Sequence, residues 1–200
     1  MFASAGQPDS ALRYLREALA YSRSTPDHPL DALILVGIGQ VHLDRGAYDS
    51  ATAAIRHARA ATRAGDRPMQ LSVQVLTGTA FVVTGQTDSG LAVLGRALEN
   101  ARAIPVPDKE AAILGSMALA YANVGRPDSA IWFARSGLQV AQGAHDRNKE
   151  ARALLNIADV LITAGQPESA MESLEQAEAI AEETADLPTQ GRAVRALGAA

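Results

Sequence analysis

Apolar residues recur along this chain at spacings of three and four positions, and short polar segments interrupt them at regular intervals. The spacing is clear in residues 31–44 and again in 151–162, and it indicates helices with one apolar face rather than alternating strands. The pattern predicts helices at about 8–24, 28–45, 47–64, 68–84, 87–103, 108–124, 127–143, 147–164 and 167–184, with a last helix beginning near Pro188. The short connections predict that neighbouring helices pack antiparallel.

A six-residue segment recurs five times, at 6–11, 46–51, 85–90, 125–130 and 165–170. The steps between its first residues are 40, 39, 40 and 40 positions. The segment begins with glycine, which suits the left-handed position that ends a helix, and three copies have proline two residues later, where a new helix can begin without an N–H. The acid that follows faces the positive end of that helix, so Asp9, Asp49, Asp88, Asp128 and Glu168 are interpreted as structural rather than catalytic.

Small residues recur on both sides of this turn. The first helix of each pair carries Gly39, Gly78, Ala118, Ala158 and Gly198, with a bulkier residue three positions later at His42, Phe81, Tyr121 and Leu161. The second helix carries Ala11, Ala51, Gly90, Ala130 and Ala170, and seven positions later Ala18, Ala58, Ala97, Gly137 and Ala177. Small side chains let two helix backbones approach closely enough to nest.

This arrangement resembles the tetratricopeptide repeat, in a variety with a forty-residue period instead of the usual 34 or so. The resemblance covers practically the whole chain and implies an all-α fold, a right-handed α-solenoid of antiparallel helix pairs with about five repeats and ten helices. The alternative is a HEAT-like or armadillo array, against which the recurring turn glycine and small residues count. The tryptophan usual in the first helix is missing, and Trp132, in a second helix, is expected to be a packing residue.

We expect residues 1–200 to form a single repeat domain. The repeats are cut in mid-unit at both ends, which leads us to expect a fragment of a longer array or multidomain protein.

Composition supports the helical prediction and narrows the function. The chain has 41 alanines and only 4% aromatic residues, which favours helices. Its net charge of −4, without a basic block, argues against nucleic-acid binding. Without a leader or an apolar stretch of membrane-spanning length, we expect a soluble, cytoplasmic protein that does not bind a membrane; the excess of arginine over lysine suggests a bacterial source.

No pattern for catalysis or cofactor binding is present. The absence of cysteine excludes disulfides, zinc–thiolate sites and a cysteine nucleophile. The four histidines, at 28, 42, 57 and 145, do not form a metal-binding pair, and Gly37 and Gly39 lie within a helix without the third glycine of a dinucleotide-binding turn. We therefore expect no enzyme activity, no metal and no cofactor.

The resemblance implies that partners bind in a concave groove lined by the first helices. Counting back from each turn glycine, the expected groove residues are Leu33, Val36, Gln40, Leu43, Asp44, Val75, Thr79, Val82, Val83, Leu119, Asn123, Arg152, Leu155, Asn156, Asp159, Arg192 and Arg195. The N-terminal part of this set is apolar, as partner-binding surfaces often are. In its C-terminal part, Arg152 and Arg192 occupy the same repeat position, and with Asn156 and Arg195 they could hold a carboxylate.

Three functions are consistent with these residues. The first is a non-catalytic interaction module or scaffold that binds a peptide or protein segment in the groove. The second is a ligand- or peptide-sensing domain of a bacterial regulator, and the third is a self-associating spacer. The sequence alone does not identify the partner.

Overall fold

The computed structural model describes residues 6–25, 30–104 and 107–198, and within these residues it contains ten helices and no strand. The helices are α1 (Gly6–Arg23), α2 (Asp31–Asp44), α3 (Tyr48–Ala61), α4 (Arg67–Val83), α5 (Thr87–Arg102), α6 (Pro107–Asn123), α7 (Pro127–Gly143), α8 (Arg147–Thr163), α9 (Pro167–Glu183) and α10 (Leu187–Leu197). Their ends lie within three residues of the predicted ranges. The all-α prediction is confirmed.

The helices form two compact units, Met1–Val93 and Leu94–Ala200, which divide inside α5. In unit 1, α2 packs against α3, and α4 packs against both. In unit 2, α6 pairs with α7 and α8 with α9, while α6 also contacts α8 and α8 contacts α10. Each unit therefore contains helix pairs whose first helices lie side by side.

The turn between the two helices of a pair has the left-handed conformation that its glycine predicted. Gly46, Gly85, Gly125 and Gly165 have φ between 69° and 81°, a conformation that costs a residue with a Cβ more than it costs glycine. The amide N–H of the following residue donates to the carbonyl five positions earlier, as in Ala47 to His42 at 2.9 Å and Gln166 to Leu161 at 2.9 Å. This is the Schellman motif that ends a helix and satisfies its last carbonyls. The turn predicted at 6–11 begins with the first described residue.

Most of the recurring small residues lie where the helices touch, whereas Ala18 and Gly198 are exposed and Ala11 is half-buried. Gly39, Gly78, Ala118 and Ala158 on the first helices are buried, and so are Ala51, Gly90, Ala130, Ala170, Ala58, Ala97, Gly137 and Ala177 on the second helices. Gly39 and Gly90 show how close the approach is, since a Cβ there would lie 2.7 Å from a side-chain atom of Leu76 and of Val82, respectively. The prediction that small residues permit nesting is confirmed at these positions.

A second kind of turn, between one pair and the next, escaped the sequence analysis. Asp66, Asp146 and Asp186 precede α4, α8 and α10, and each carboxylate accepts a hydrogen bond from the backbone N–H three residues later, at 3.0–3.2 Å. These are N-caps, which satisfy backbone donors at the start of a helix. The aspartates recur at multiples of the repeat length, and that spacing was the available signal.

Trp132 is a packing residue, as expected, but it packs at the surface, where its side chain is 60% exposed. Trp132 lies on α7, where its ring meets Phe133 edge-on with centroids 4.8 Å apart. Phe133 stacks in turn on Tyr121 of α6 at 5.1 Å. The inner part of this aromatic row joins α6 to α7, while the indole remains at the surface.

Candidate functional site

The candidate site is the solvent-facing side of the first helices. In unit 2 these are α6, α8 and α10, whose other sides pack against α7 and α9 and against each other. In unit 1 they are α2 and α4. Because second helices cover one side of each first helix, the expected groove residues can only meet a partner from the opposite side. We call these surfaces the first-helix face of each unit.

In unit 1, the first-helix face is apolar at its start and polar at its end. Leu33 is 56% exposed, and Gln40 and Asp44 are also exposed, with the Gln40 amide donating to the Asp44 carboxylate at 2.8 Å. Four further members of the set on this unit are half-buried, namely Val36, Val75, Thr79 and Val83. Apart from Leu33, the apolar side chains of this face therefore expose only part of their surface.

Three expected groove residues are instead part of the core: Leu43, Val82 and Leu155 are 8%, 2% and 2% exposed. Leu43 packs with residues of α3 and α4, and Leu155 belongs to the cluster formed by α6 to α10. Successive residues of a helix are rotated by about 100° around its axis. Four or five expected groove residues on one helix therefore cannot all face solvent, and some lie at the edge of the exposed face. At these three positions the edge is turned towards the neighbouring helix.

The polar part of the expected groove lies in unit 2 and is organised by an ion pair. Arg192 of α10 donates to the Asp159 carboxylate of α8 at 3.2 Å. Arg195 donates through Nε to the carbonyl of Gly191 at 3.0 Å. The Asn156 amide covers Gly115 of α6, where a Cβ would lie 2.6 Å from its Nδ2. Arg192 and Asn156 therefore already have protein contacts.

Arg152 differs from the other arginines of this face. It is exposed on α8 and forms no ion pair or hydrogen bond with the residues that the structure describes. A guanidinium in this state can turn its donors to an incoming acceptor without breaking an existing contact. Elsewhere on the first-helix face of unit 2, Leu119 is half-buried and Asn123 is exposed on α6, and Ile162 of α8 is 42% exposed.

Asp159 combines partial exposure with a shifted pKa. Its side chain is 55% exposed, yet removal of its carboxylate from water raises the pKa of Asp159 above its usual value, with the Arg192 guanidinium opposing the rise. Asp159 is therefore a partly exposed carboxylate at the surface of unit 2 that is paired with Arg192.

This raised pKa leads to a stability prediction. The raised pKa means that the folded protein binds the Asp159 proton more tightly than the unfolded chain does. The protonated side chain therefore contributes fully to stability below the ordinary pKa of 3.8, and this contribution is lost as the pH rises through the pKa of the folded state. Asp159→Asn avoids that loss and keeps an acceptor for Arg192. We expect the variant to gain stability relative to the native chain between about pH 3 and pH 7, as followed by urea unfolding. A difference that does not change with pH would contradict this.

The chemistry of the described residues matches neither a metal centre nor a membrane segment. No group of three or more metal-ligating side chains is found in the parts of the chain that the structure describes. Among the same residues, no helix is both long and apolar enough to span a bilayer. The first-helix face offers hydrogen-bonding groups and apolar edges, which suit binding.

Comparisons with known proteins agree with the helix-pair repeat. A sequence model described as tetratricopeptide repeat matches residues 1–64 and 109–183. No curated protein matches the sequence.

Solved structures show the same fold at low identity. BtubC from P. vanneervenii is 16% identical with a TM-score of 0.63, covering 96% of this chain and 85% of that one. A Rap protein complexed with competence and sporulation factor is 16% identical with a TM-score of 0.72, over 92% of this chain and 51% of that one. Aspartyl phosphate phosphatase F from Bacillus subtilis is 15% identical with a TM-score of 0.68, over 92% and 49%. The chain thus spans about half the length of the last two.

Proposed function

Because this chain belongs to the tetratricopeptide repeat family, we propose that it is a non-catalytic interaction module that binds a peptide or protein segment on its first-helix faces. Repeats of this kind act as protein-interaction scaffolds, with stacked helix pairs presenting an extended surface. We also propose that residues 1–200 form one repeat array, since the turn spacing continues unchanged through α5.

The observation that carries the proposal is the guanidinium of Arg152, which is exposed on α8 and forms no hydrogen bond or ion pair with the residues that the structure describes. Such a group can donate paired hydrogen bonds to a carboxylate of a bound segment without breaking an existing contact. On the same helix, Asp159 forms the ion pair with Arg192 of α10. Ile162, three residues beyond Asp159 on α8, adds exposed apolar surface near this ion pair.

The charge of this face indicates the chemistry of the partner. Among the expected groove residues of unit 2, three arginines (Arg152, Arg192 and Arg195) outnumber the one carboxylate, Asp159, in a chain whose net charge is −4. We therefore propose an acidic segment, with one of its carboxylates on Arg152. A Rap protein complexed with competence and sporulation factor shares the fold, which supports a protein or peptide as the partner.

Selection from a random-peptide display library tests this proposal directly. We expect selected peptides to be rich in Asp and Glu and to bind Arg152→Glu about tenfold or more weakly than the native chain, measured by fluorescence anisotropy. Charge reversal there breaks no ion pair with the described residues, so a folding defect is not expected.

Arg135→Glu is the matched control. Arg135 is exposed on α7, a second helix, so the variant makes the same charge change away from the first-helix face. We expect its peptide affinity to stay within about twofold of the native value. Failure to select any peptide, or an equal loss of affinity in both variants, would contradict the proposal.

Measuring the molecular mass in solution distinguishes a face that is free to bind a partner from one that is covered by self-association. A constant monomer of 20.9 kDa across a concentration series, measured by light scattering, leaves the faces available to another protein. Growth of the mass with concentration, abolished by the apolar-to-polar substitution Leu33→Ser, would favour the self-associating spacer instead.

A further inference from the structure

Helix α1 carries an apolar stripe that is open to solvent. Ala11, Leu15, Ala18 and Tyr21 follow one another along one side of this helix. Ala11 and Leu15 are half-buried, Ala18 is exposed, and the side chain of Tyr21 is 74% exposed. Of helices α2, α3 and α4 in the same unit, only α2 packs against α1. We call these four residues the α1 stripe.

The equivalent stripe is covered on the other second helices. The positions that correspond to Ala11, Leu15 and Ala18 are at most 8% exposed on α3 and α9, namely Ala51, Ile55, Ala58, Ala170, Leu174 and Ala177. Tyr21 corresponds to Ile180 of α9, which is 6% exposed. In these pairs, α2 packs against α3 and α8 packs against α9. The element that fits the α1 stripe is therefore a first helix.

Helix α10 is a first helix with an uncovered stripe of its own. Gly191, Val194 and Gly198 are exposed along one side of it, and Val194 is 49% exposed. We call these three residues the α10 stripe. Forty positions earlier, the equivalent residues of α8 are at most 4% exposed and belong to the cluster that α8 forms with α9, namely Ala151, Leu154 and Ala158. By comparison with α8, the element that fits the α10 stripe is a second helix.

We propose that α10 of one copy of this chain packs against α1 of a second copy and so completes a helix pair. The two stripes hold small and apolar residues at the positions that lie together in the α8–α9 pair, so the helices can approach as closely as they do there. Burial of Tyr21 and Val194 supplies apolar contact area. Because the contact joins two different surfaces, further copies can add at either end. The proposal is independent of peptide binding at Arg152.

Light scattering of the full chain over a concentration series is the first measurement. We expect the mass to rise above the 20.9 kDa of one chain at concentrations up to about 0.3 mM. Ala18→Arg and Val194→Arg each place a charged side chain in one stripe, and we expect either variant to remain a monomer. Both positions are exposed in the single chain, so the variants should fold, as circular dichroism verifies. A native chain of constant mass would overturn the proposal and leave the stripes for helices of another protein.

A mixture of the two variants tests whether α10 meets α1. Ala18→Arg keeps an intact α10 stripe and Val194→Arg keeps an intact α1 stripe. At the concentration at which the native chain associates, an equimolar mixture should therefore form a heterodimer with twice the mass of one chain and nothing larger. A mixture that stays monomeric, or self-association of either variant alone, would overturn the proposal.

The matched controls carry the same substitutions outside the stripes. Ala60→Arg lies on the exposed surface of α3, and Val124→Arg directly follows α6 at a position that is 46% exposed. We expect both to associate as the native chain does, and so should Leu33→Ser on the first-helix face. Loss of association in the arginine controls would mean that added positive charge, rather than the stripes, prevents it, and would overturn the proposal.

Discussion

Replacing Leu155 with alanine is expected to lower the free energy of unfolding by about 2–5 kcal/mol, the range for truncation of a buried leucine. Its side chain is 2% exposed and belongs to the cluster that joins α6 to α10, so the truncation leaves a cavity that neighbouring side chains fill only in part. Urea unfolding followed by circular dichroism measures the loss. This result would establish that the residue stabilises the fold rather than lining a binding face.

Ile162→Ala is the comparison for Leu155→Ala. Ile162 lies two turns further along α8 and is 42% exposed, so its truncation removes apolar surface that water already reaches. We expect a loss of about 1 kcal/mol or less. Similar losses for the two variants would mean that Leu155 is not enclosed as the structure has it.

The second large effect is expected at Gly90, which is glycine where the other repeats have alanine. An added Cβ would lie 2.7 Å from Val82 Cγ2, 2.9 Å from the carbonyl oxygen of Gly78 and 3.2 Å from the amide nitrogen of Val82. The side chain of Val82 could move, but the backbone of α4 could not move without disturbing the whole pair. We expect Gly90→Ala to cost about 1–3 kcal/mol through overpacking, which exceeds the gain in helix propensity of about 1 kcal/mol or less.

We expect the opposite effect on stability at Gly95, which lies on the same helix as Gly90. Among the residues that the structure describes, no heavy atom outside its own helix lies within 4 Å of the Cβ that Gly95→Ala would add. We expect Gly95→Ala to raise the free energy of unfolding by about 0.5–1 kcal/mol, because alanine restricts the unfolded chain and favours the helix. Thermal unfolding of both variants tests the pair, and a Gly90→Ala variant that melts at or above the native temperature would refute the close approach of α4 and α5.

The local elements of the fold were predictable from the sequence because each depends on a few neighbouring residues. Gly46 and Gly165 adopt the left-handed conformation that a helix end requires. Ala51 and Ala130 are buried where the small residue indicated helix contact. Such features repeat with the period of the sequence, so five copies reinforced one another.

The candidate site was less predictable because it depends on how far one helix is displaced along the next. Arg192 and Arg152 share a repeat position, which led us to expect them side by side. The structure shows that Arg192 pairs with Asp159, which lies seven residues beyond Arg152 on α8, or about 10 Å along the helix axis. This pairing arises from the packing of α10 against α8, and no local pattern encodes it.

A pocket of unit 1, lined by Arg16 of α1 and by His42 and Arg45 at the end of α2, was missed for a related reason. His42 occupies a position that the repeat pattern explains as a bulky packing residue, and Arg16 lies on a different helix, 26 positions earlier. Neither residue forms a recognisable motif. Only the antiparallel packing of α1 against α2 brings Arg16, His42 and Arg45 to the same pocket.

The exposed indole on α7 also makes part of the protein visible by fluorescence. Trp132 is the only tryptophan in the chain, and its edge contact with Phe133 lies next to the stack of Phe133 on Tyr121. Its emission therefore responds to separation of α6 from α7, whereas far-ultraviolet circular dichroism averages over all the helices. Unit 1 contributes no tryptophan signal, so the two kinds of melting curve, recorded on one sample, distinguish local opening of this helix pair from loss of the helices as a whole.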